Sequence, residues 1–230
     1  MTKYFLICLV IFSQLSGQNY TITIFGFPFV SVTMDKIPGE LTFQTQTTGL
    51  LNYFWPMDNT YFISYDSLDY SFKQFEKKIH QGSVMYSLNA KYDQEKGQLF
   101  YDDIALNRPP EIQTIFSMLV RVQEQHKEDL DTKWFPMEHD GQLFESRYLW
   151  AETDTILINR VEKICDHYRL DIKAVEDVTS LPEQSDYFMN NIIAEKAIRQ
   201  IWVEKSSPRR IVQASVKLYG INIIARWTHD

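Results

Sequence analysis

Apolar and polar side chains alternate along most of this chain, and the alternation predicts β-strands. The apolar set is Val84, Tyr86, Leu88, Ala90 and Tyr92 in 83–92, and Tyr168, Leu170, Ile172 and Ala174 in 167–174. A period of two with one polar face is typical of antiparallel sheet. Glycine and proline breakers fall at strand-length intervals between such segments.

Two stretches have helical periodicity. In 111–123, which follows two prolines, a single stripe carries Ile112, Ile115, Phe116, Leu119 and Val122. Residues 49–54 are predicted to form a short turn of helix, and 175–191 a long loop. The periodicity therefore predicts a fold that is mainly antiparallel β with one amphipathic helix, 111–123.

The N-terminal stretch "MTKYFLICLVIFSQLSGQ" has one charge, Lys3, then an apolar run and small or polar residues. This order is typical of a secretory signal peptide, and it lacks the amphipathic period of a helix buried in the core. We predict a signal peptide at 1–17, cleavage near Gly17 and export of the mature chain. The remaining residues, 18–230, contain no repeat or linker and are predicted to form one all-β domain.

Composition limits the classes of partner. The chain has 23 Lys and Arg against 30 Asp and Glu, and this net charge of −7 argues against nucleic acid as a partner. Beyond the signal, no run approaches the about 18 apolar residues of a transmembrane helix. Of two cysteines, one lies in the predicted signal, so Cys165 has no disulfide partner and the core must stabilise the fold.

Four motifs together resemble a bacterial exported family, domain of unknown function 3108. They are "FGFPFVSVTM", "TTGLLNYFWPMDNTYFISYD", "MEHDGQLFESRYLW" and "IRQIWVEKSSPRRIVQASVKLYGINIIARW". Phe29 and Val30 depart from the pattern, because the family usually has small residues there. The resemblance implies a periplasmic, mainly β protein with a single strongly curved antiparallel sheet, or half-open barrel, similar to the half-open barrels of lipoprotein carriers. In such a sheet, helix 111–123 is expected to lie against the concave face. It implies no activity.

Three kinds of cluster could carry chemistry: Cys165 with His167, the run Glu138–His139–Asp140, and the acidic groups Asp102–Asp103 and Glu128–Asp129–Asp131. A thiol and an imidazole two apart on a strand share a face, but a metal would need two further ligands. The "MEHDG" run ends in an Asp-Gly turn signal, which favours a solvated hairpin tip. Paired carboxylates are expected by chance in so acidic a chain. We predict no enzyme, no catalytic residue, no metal and no cofactor.

Two basic clusters interrupt this acidic chain: Lys73, Lys77 and Lys78, and Lys205, Arg209 and Arg210. They could meet lipid phosphates or an acidic partner. A charged edge strand and a charged turn, both resisting aggregation, are the favoured interpretation.

The segment "TTGLLNYFWPMDN" is the candidate ligand site. Its apolar side chains suit a core plug, a membrane foot or the lip of a ligand cavity, and the lack of flanking Lys or Arg argues against the membrane foot. On the cavity hypothesis Leu50, Leu51 and Phe54 anchor the segment, while Tyr53, Trp55 and Met57 line the mouth. Phe116 and Leu119 of the helix complete the predicted site.

Two functions follow from these observations. The first is a non-catalytic periplasmic carrier or binding module for an apolar or amphipathic ligand such as lipid. The alternative is an interaction protein that joins an envelope assembly through an aromatic patch or a sheet edge, with an envelope protein as its partner.

Overall fold

The computed structural model describes residues 16–102, 104–175 and 186–228, which form one antiparallel sheet of fourteen strands. The strands are β1 (Ser16–Ile24), β2 (Phe27–Ile37), β3 (Glu40–Thr47), β4 (Asp58–Tyr65), β5 (Phe72–Gln81), β6 (Val84–Asp93), β7 (Gln98–Tyr101), β8 (Ile104–Asn107), β9 (Trp134–His139), β10 (Gln142–Ile158), β11 (Val161–Ala174), β12 (Ile198–Glu204), β13 (Ile211–Leu218) and β14 (Ile221–Thr228). The predicted alternation is confirmed in β6, whose inward side chains are more buried than their neighbours.

The strand order is β8 to β1 in sequence, followed by β14 down to β9. Two meanders therefore meet side by side where β1 pairs with β14, from Asn19 opposite Thr228 to Ile24 opposite Ile223. The sheet does not close into a barrel. The predicted fold class, a curved antiparallel sheet with few helices, is confirmed.

Four helices accompany the sheet in the described part of the chain: α1 (Gly49–Phe54), α2 (Ile115–Glu124), α3 (Lys127–Leu130) and α4 (Tyr187–Ile193). The short α1 was predicted. The prediction of a loop through residue 191 is wrong at α4, whose first turn is capped by the Asp186 carboxylate accepting from the Met189 N–H. The single turn α3 was also missed.

Helix α2 begins at Ile115 and not at residue 111, as the stripe predicted. Thr114 and Ser117 form a capping box in which each side chain bonds the other's backbone N–H, at 3.2 and 3.1 Å. Just before it, the backbone of Gln113 is extended and bonds Pro136 and Glu138 of β9. The cap and this edge pairing hold 111–113 out of the helix.

Helix α2 lies inside the curl of the sheet, as predicted. The ring of Phe116 packs against Phe43 of β3, Tyr61 of β4 and Phe75 of β5, with ring centroids 4.8 to 6.1 Å apart. From the other meander, the Tyr148 hydroxyl donates to the Met118 carbonyl at 2.9 Å. The helix thus occupies the interior and contacts both meanders.

Some predictions lie outside the described residues. These are the signal peptide up to residue 15, positions 176–185 of the long loop, and Asp103. Ser16 and Gly17 already belong to β1 and pair with β2. Within the part of the chain that the structure describes, no helix has the length and apolar character that a membrane crossing requires.

Candidate functional site

The segment predicted as the ligand site stands out from the sheet. In α1, Leu50, Tyr53 and Phe54 are 82%, 84% and 75% exposed, and the helix has no buried residue. The prediction that Leu50 and Phe54 anchor the segment is therefore wrong, whereas Leu51 is half-buried. Met57, predicted at the mouth, is buried instead. Pro56 ends the helix, and the chain returns to the sheet at Met57, which bridges Gln81 of β5.

The segment is held at its two ends. The Thr48 N–H bonds the Phe29 carbonyl at 2.8 Å, and the Met57 N–H bonds the Thr47 hydroxyl at 2.9 Å. The Trp55 ring lies over the β5–β6 turn. A Cβ added to Gly82 in this turn would be 3.7 Å from the ring, an ordinary van der Waals contact. These contacts fix α1 as a defined projection with its apolar side chains outward.

Three neighbouring turns present further exposed apolar side chains at the same end of the sheet. They belong to the β1–β2, β5–β6 and β13–β14 turns, which flank α1 in the sheet order. We define the apolar rim as Phe25, Phe27, Leu50, Tyr53, Phe54, Trp55, Met85, Tyr219 and Ile221, all of them exposed. The segments that carry it, 24–30, 47–57, 82–86 and 218–225, contain no charged residue, although 23% of the chain is charged.

Two of these turns have an aromatic residue at a position where the backbone conformation favours Asn or Asp. Phe25–Gly26 and Tyr219–Gly220 have positive φ at both positions (52° and 83°, 49° and 83°), the geometry of a type I′ hairpin. Asn or Asp normally takes the first position, as Asp140 does in the β9–β10 turn. Phe25 and Tyr219 are 75% and 83% exposed, so packing does not compensate for this choice.

The two helix residues of the predicted site are not part of the rim. Phe116 is 2% exposed and Leu119 is partly buried against the core. Phe116 is therefore a core residue, and a groove open beneath α2 has no support in this arrangement.

The interior also contains a polar cluster that the sequence did not predict. Lys77 is fully buried, and its Nζ contacts the Asp140 carboxylate. The prediction of a charged edge strand is wrong, because β5 lies between β4 and β6 and places Lys77 on the inner face. The prediction of a solvated "MEHDG" tip is wrong as well, since the curvature brings the Asp-Gly turn against β5. Burial lowers the pKa of His139 in this turn.

Glu138 lies next to this cluster and links the two edges of the sheet, since it lies in β9 and its partners lie in or just after β7 and β8. Its carboxylate accepts from the Tyr101 hydroxyl of β7 at 3.0 Å and from the Arg108 guanidinium. Burial raises the pKa of Glu138 to about 7, although Arg108 and Tyr101 both act to lower it. An acid–base group is thus present, but it is 2% exposed and has its partners within the protein.

Cys165 and His167 do not form a reactive pair. The Cys165 thiol is buried and donates to the Lys163 carbonyl of its own strand at 3.3 Å. Burial raises the pKa of this thiol to about 12, the opposite of what a nucleophile needs. His167 stacks on Trp202 with ring centroids 4.3 Å apart. No group of three His, Cys, Asp or Glu among the described residues is arranged to hold a metal.

Cys165→Ser is expected to lower the free energy of unfolding by no more than about 1–2 kcal/mol. The serine hydroxyl can donate to the same carbonyl, so only the larger, more apolar sulfur is lost. Urea unfolding of the variant beside the wild type measures the difference. A loss well above this range would mean that the thiol has a stronger role than packing.

The second basic cluster forms the charged turn that was predicted. Lys205, Arg209 and Arg210 line a cleft of about 360 Å³ at the end of the sheet opposite the rim. Arg209 donates to the carbonyls of Gln123 and Gln125 at 3.2 and 3.3 Å, and so caps the C-terminus of α2. The basic turn thus fixes the helix in place.

Comparison with known proteins supports the fold and goes no further. No protein-family model and no curated protein matches the chain. The crystal structure of a β-barrel-like protein of domain of unknown function 1849 from Brucella abortus is similar, with a TM-score of 0.54 and 9% identity over 92% of this chain and 94% of that one. The hypothetical lipoprotein YmcC from Escherichia coli (K12) aligns with a TM-score of 0.39 and 10% identity over 95% and 86%. The likeness to the Brucella protein shows a β-barrel-like fold. The resemblance to domain 3108 finds no family-model support.

Proposed function

We propose that this chain is an exported, non-catalytic envelope protein that binds lipid assemblies through its apolar rim. The observation that carries the proposal is the exposed aromatic residue at the first position of two type I′ turns, Phe25 and Tyr219. Asn or Asp would suit these positions better, and the rings gain little from packing within the chain. A residue that opposes local stability and stays exposed is best explained by a contact outside the chain.

The shape of the rim favours a bilayer surface over a flat protein partner. A Cβ added to Gly26, Gly49 or Gly220 would meet no atom within 4 Å, so these turns project into open space. Separate convex tips that carry Phe, Tyr, Trp and Leu can each enter the interfacial region of a membrane. The envelope location is part of the proposal and rests on the apolar N-terminal sequence.

The argument against a membrane foot, drawn from 47–59 alone, changes once four charge-free segments lie side by side. Without basic residues in these segments, and with a net charge of −7, the chain gains nothing from anionic lipid. We therefore expect binding driven by apolar burial, stronger to zwitterionic than to anionic vesicles. Binding to the zwitterionic vesicles should be insensitive to salt.

The test is co-sedimentation with phosphatidylcholine vesicles. The double variant Phe25→Asn/Tyr219→Asn is expected to lower the partition coefficient about ten-fold or more, because two aromatic side chains no longer leave water. Its free energy of unfolding should stay the same or rise by up to about 1 kcal/mol, since Asn suits the turns.

The matched control is Leu68→Ser/Leu157→Ser, which removes two apolar side chains, 90% and 62% exposed, away from the rim. It should bind vesicles as the wild type does. A wild type that fails to sediment with vesicles overturns the proposal. An equal fall of the partition coefficient in both double variants would show that binding does not depend on the rim.

A further inference from the structure

Three side chains inside the sheet form an arrangement that the apolar rim does not use. The Nζ of Lys77 contacts the carboxylate of Asp140 and lies 3.7 Å from Oδ2 of Asp186. The Lys77 and Asp186 side chains are 0% exposed, and that of Asp140 is 19% exposed. An amine, a carboxyl group and a second carboxyl group therefore meet where little water reaches them.

We propose that Lys77 and Asp140 join in an intramolecular isopeptide bond, with Asp186 relaying the protons. The bond would link the middle of β5 to the β9–β10 turn, positions 63 residues apart in sequence.

The two carboxyl groups differ in how they are held, which assigns their roles. Asp186 accepts from the Tyr61 hydroxyl at 3.1 and 3.2 Å and from the Met189 N–H at 3.1 Å, so its position is fixed. Asp140 Oδ1 has no hydrogen-bond partner among the described residues. A carboxyl oxygen without a partner is open to accept the protons with which it leaves, and a fixed carboxyl group beside the amine is suited to proton relay.

The surroundings hold the amine in place and keep water from it, since the Lys77 side chain is 0% exposed. The Tyr86 ring faces the amine, with its centroid 5.3 Å from Nζ. Contact between the reacting groups replaces a bimolecular encounter, which removes the entropic part of the barrier to forming the amide.

The reaction balances without a further reagent. Nζ of Lys77 attacks Cγ of Asp140, and a carbon–nitrogen bond forms as one carbon–oxygen bond breaks. Two of the three ammonium protons pass to the departing oxygen through Asp186, and that oxygen leaves as water. An ammonium and a carboxylate thus give one amide and one water, with no oxidation and no cofactor.

The test is mass spectrometry of the full chain after purification and denaturation. The measured mass of the wild type is expected to be lower by one water than its sequence requires. Lys77→Arg with the same N-terminus should have the full mass that its own sequence requires. Tryptic digestion should give one branched species that contains both Lys77 and Asp140, without cleavage after residue 77.

Two isosteric variants separate the roles. Asp140→Asn should form the same amide by losing one ammonia, because its side-chain nitrogen then leaves. Asp186→Asn should keep the unreacted mass, and cross-linking in that variant would overturn the relay role. An unreacted wild type overturns the proposal. So does a water loss confined to the Asp140–Gly141 peptide, since that marks a succinimide. The wild-type measurement decides the question even if a variant fails to fold.

Discussion

Phe116→Ala is expected to lower the free energy of unfolding by about 3–5 kcal/mol, as large truncations in cores do. The ring is 2% exposed and lies within 4.8 Å of Tyr61 and 5.3 Å of Phe43, measured between ring centroids. Removing it leaves a cavity between α2 and three strands of the first meander, which the sheet cannot close without bending. Urea unfolding at neutral pH measures the change.

Leu50→Ala is the control for this prediction, because Leu50 is 82% exposed in α1. Its effect should stay within about 0.5 kcal/mol. If Phe116→Ala cost as little as the control, α2 would rest loosely on the sheet, and an open groove beneath it would again be a reasonable interpretation.

The second large effect concerns pH. Burial raises the pKa of Glu138 to about 7 from an ordinary 4.5. Between these values the folded chain holds a proton that the unfolded chain releases, so stability from this group falls as pH rises through the window. The fall is at most about 3 kcal/mol from pH 4 to pH 8. Unfolding by urea across that range measures it.

Glu138→Gln isolates this contribution, since glutamine keeps the shape and cannot titrate. The variant should lose the fall in stability that Glu138 causes, while other groups such as His139 act alike in both proteins. Parallel pH profiles for the wild type and the variant would contradict the prediction. They would mean that Arg108 keeps the carboxylate charged throughout.

The periodicity of apolar residues was enough to predict the class of fold. The alternation in 83–92 is the burial pattern of β6, and the stripe residues Ile115, Phe116 and Val122 are buried in α2. Because α2 lies inside the sheet, positions off the stripe such as Met118 are buried as well. Both patterns record local geometry, in which spacing alone decides the face that a side chain occupies. The start of α2 was less predictable, because Gln113 pairs with a strand that follows it in sequence.

Only the lysine of the interior polar cluster could be predicted from the sequence. Alternate positions of β5 hold Phe75, Lys77 and Ile79, so all three lie on the same face. The apolar neighbours therefore place Lys77 on the inward face. The position of Asp140, by contrast, depends on how far the sheet curls, and no local spacing encodes that distance. A lysine facing the core is therefore visible in the sequence, but its partner is not.

The apolar rim was also within partial reach of the sequence. Each of its four segments lacks charged residues and contains glycine or proline, which is typical of exposed turns. Whole strands, however, separate the segments in the sequence. Considered alone, 47–57 favoured a plug or a cavity lip. Only the strand order shows that the four segments are neighbours at one end of the sheet.

The pairing of β1 with β14 has a consequence for how the chain folds. Within each meander every strand pairs with its neighbour in sequence, so each meander can form by closures much shorter than the one between β1 and β14. The junction between them joins Asn19 to Thr228, 209 positions apart, and must wait until the last strand is available. Until then the long edges of β1 and β14 have unpaired backbone groups, which are templates for pairing with another chain. The interval before this junction closes is therefore when the chain is most open to aggregation and most suited to capture by a chaperone.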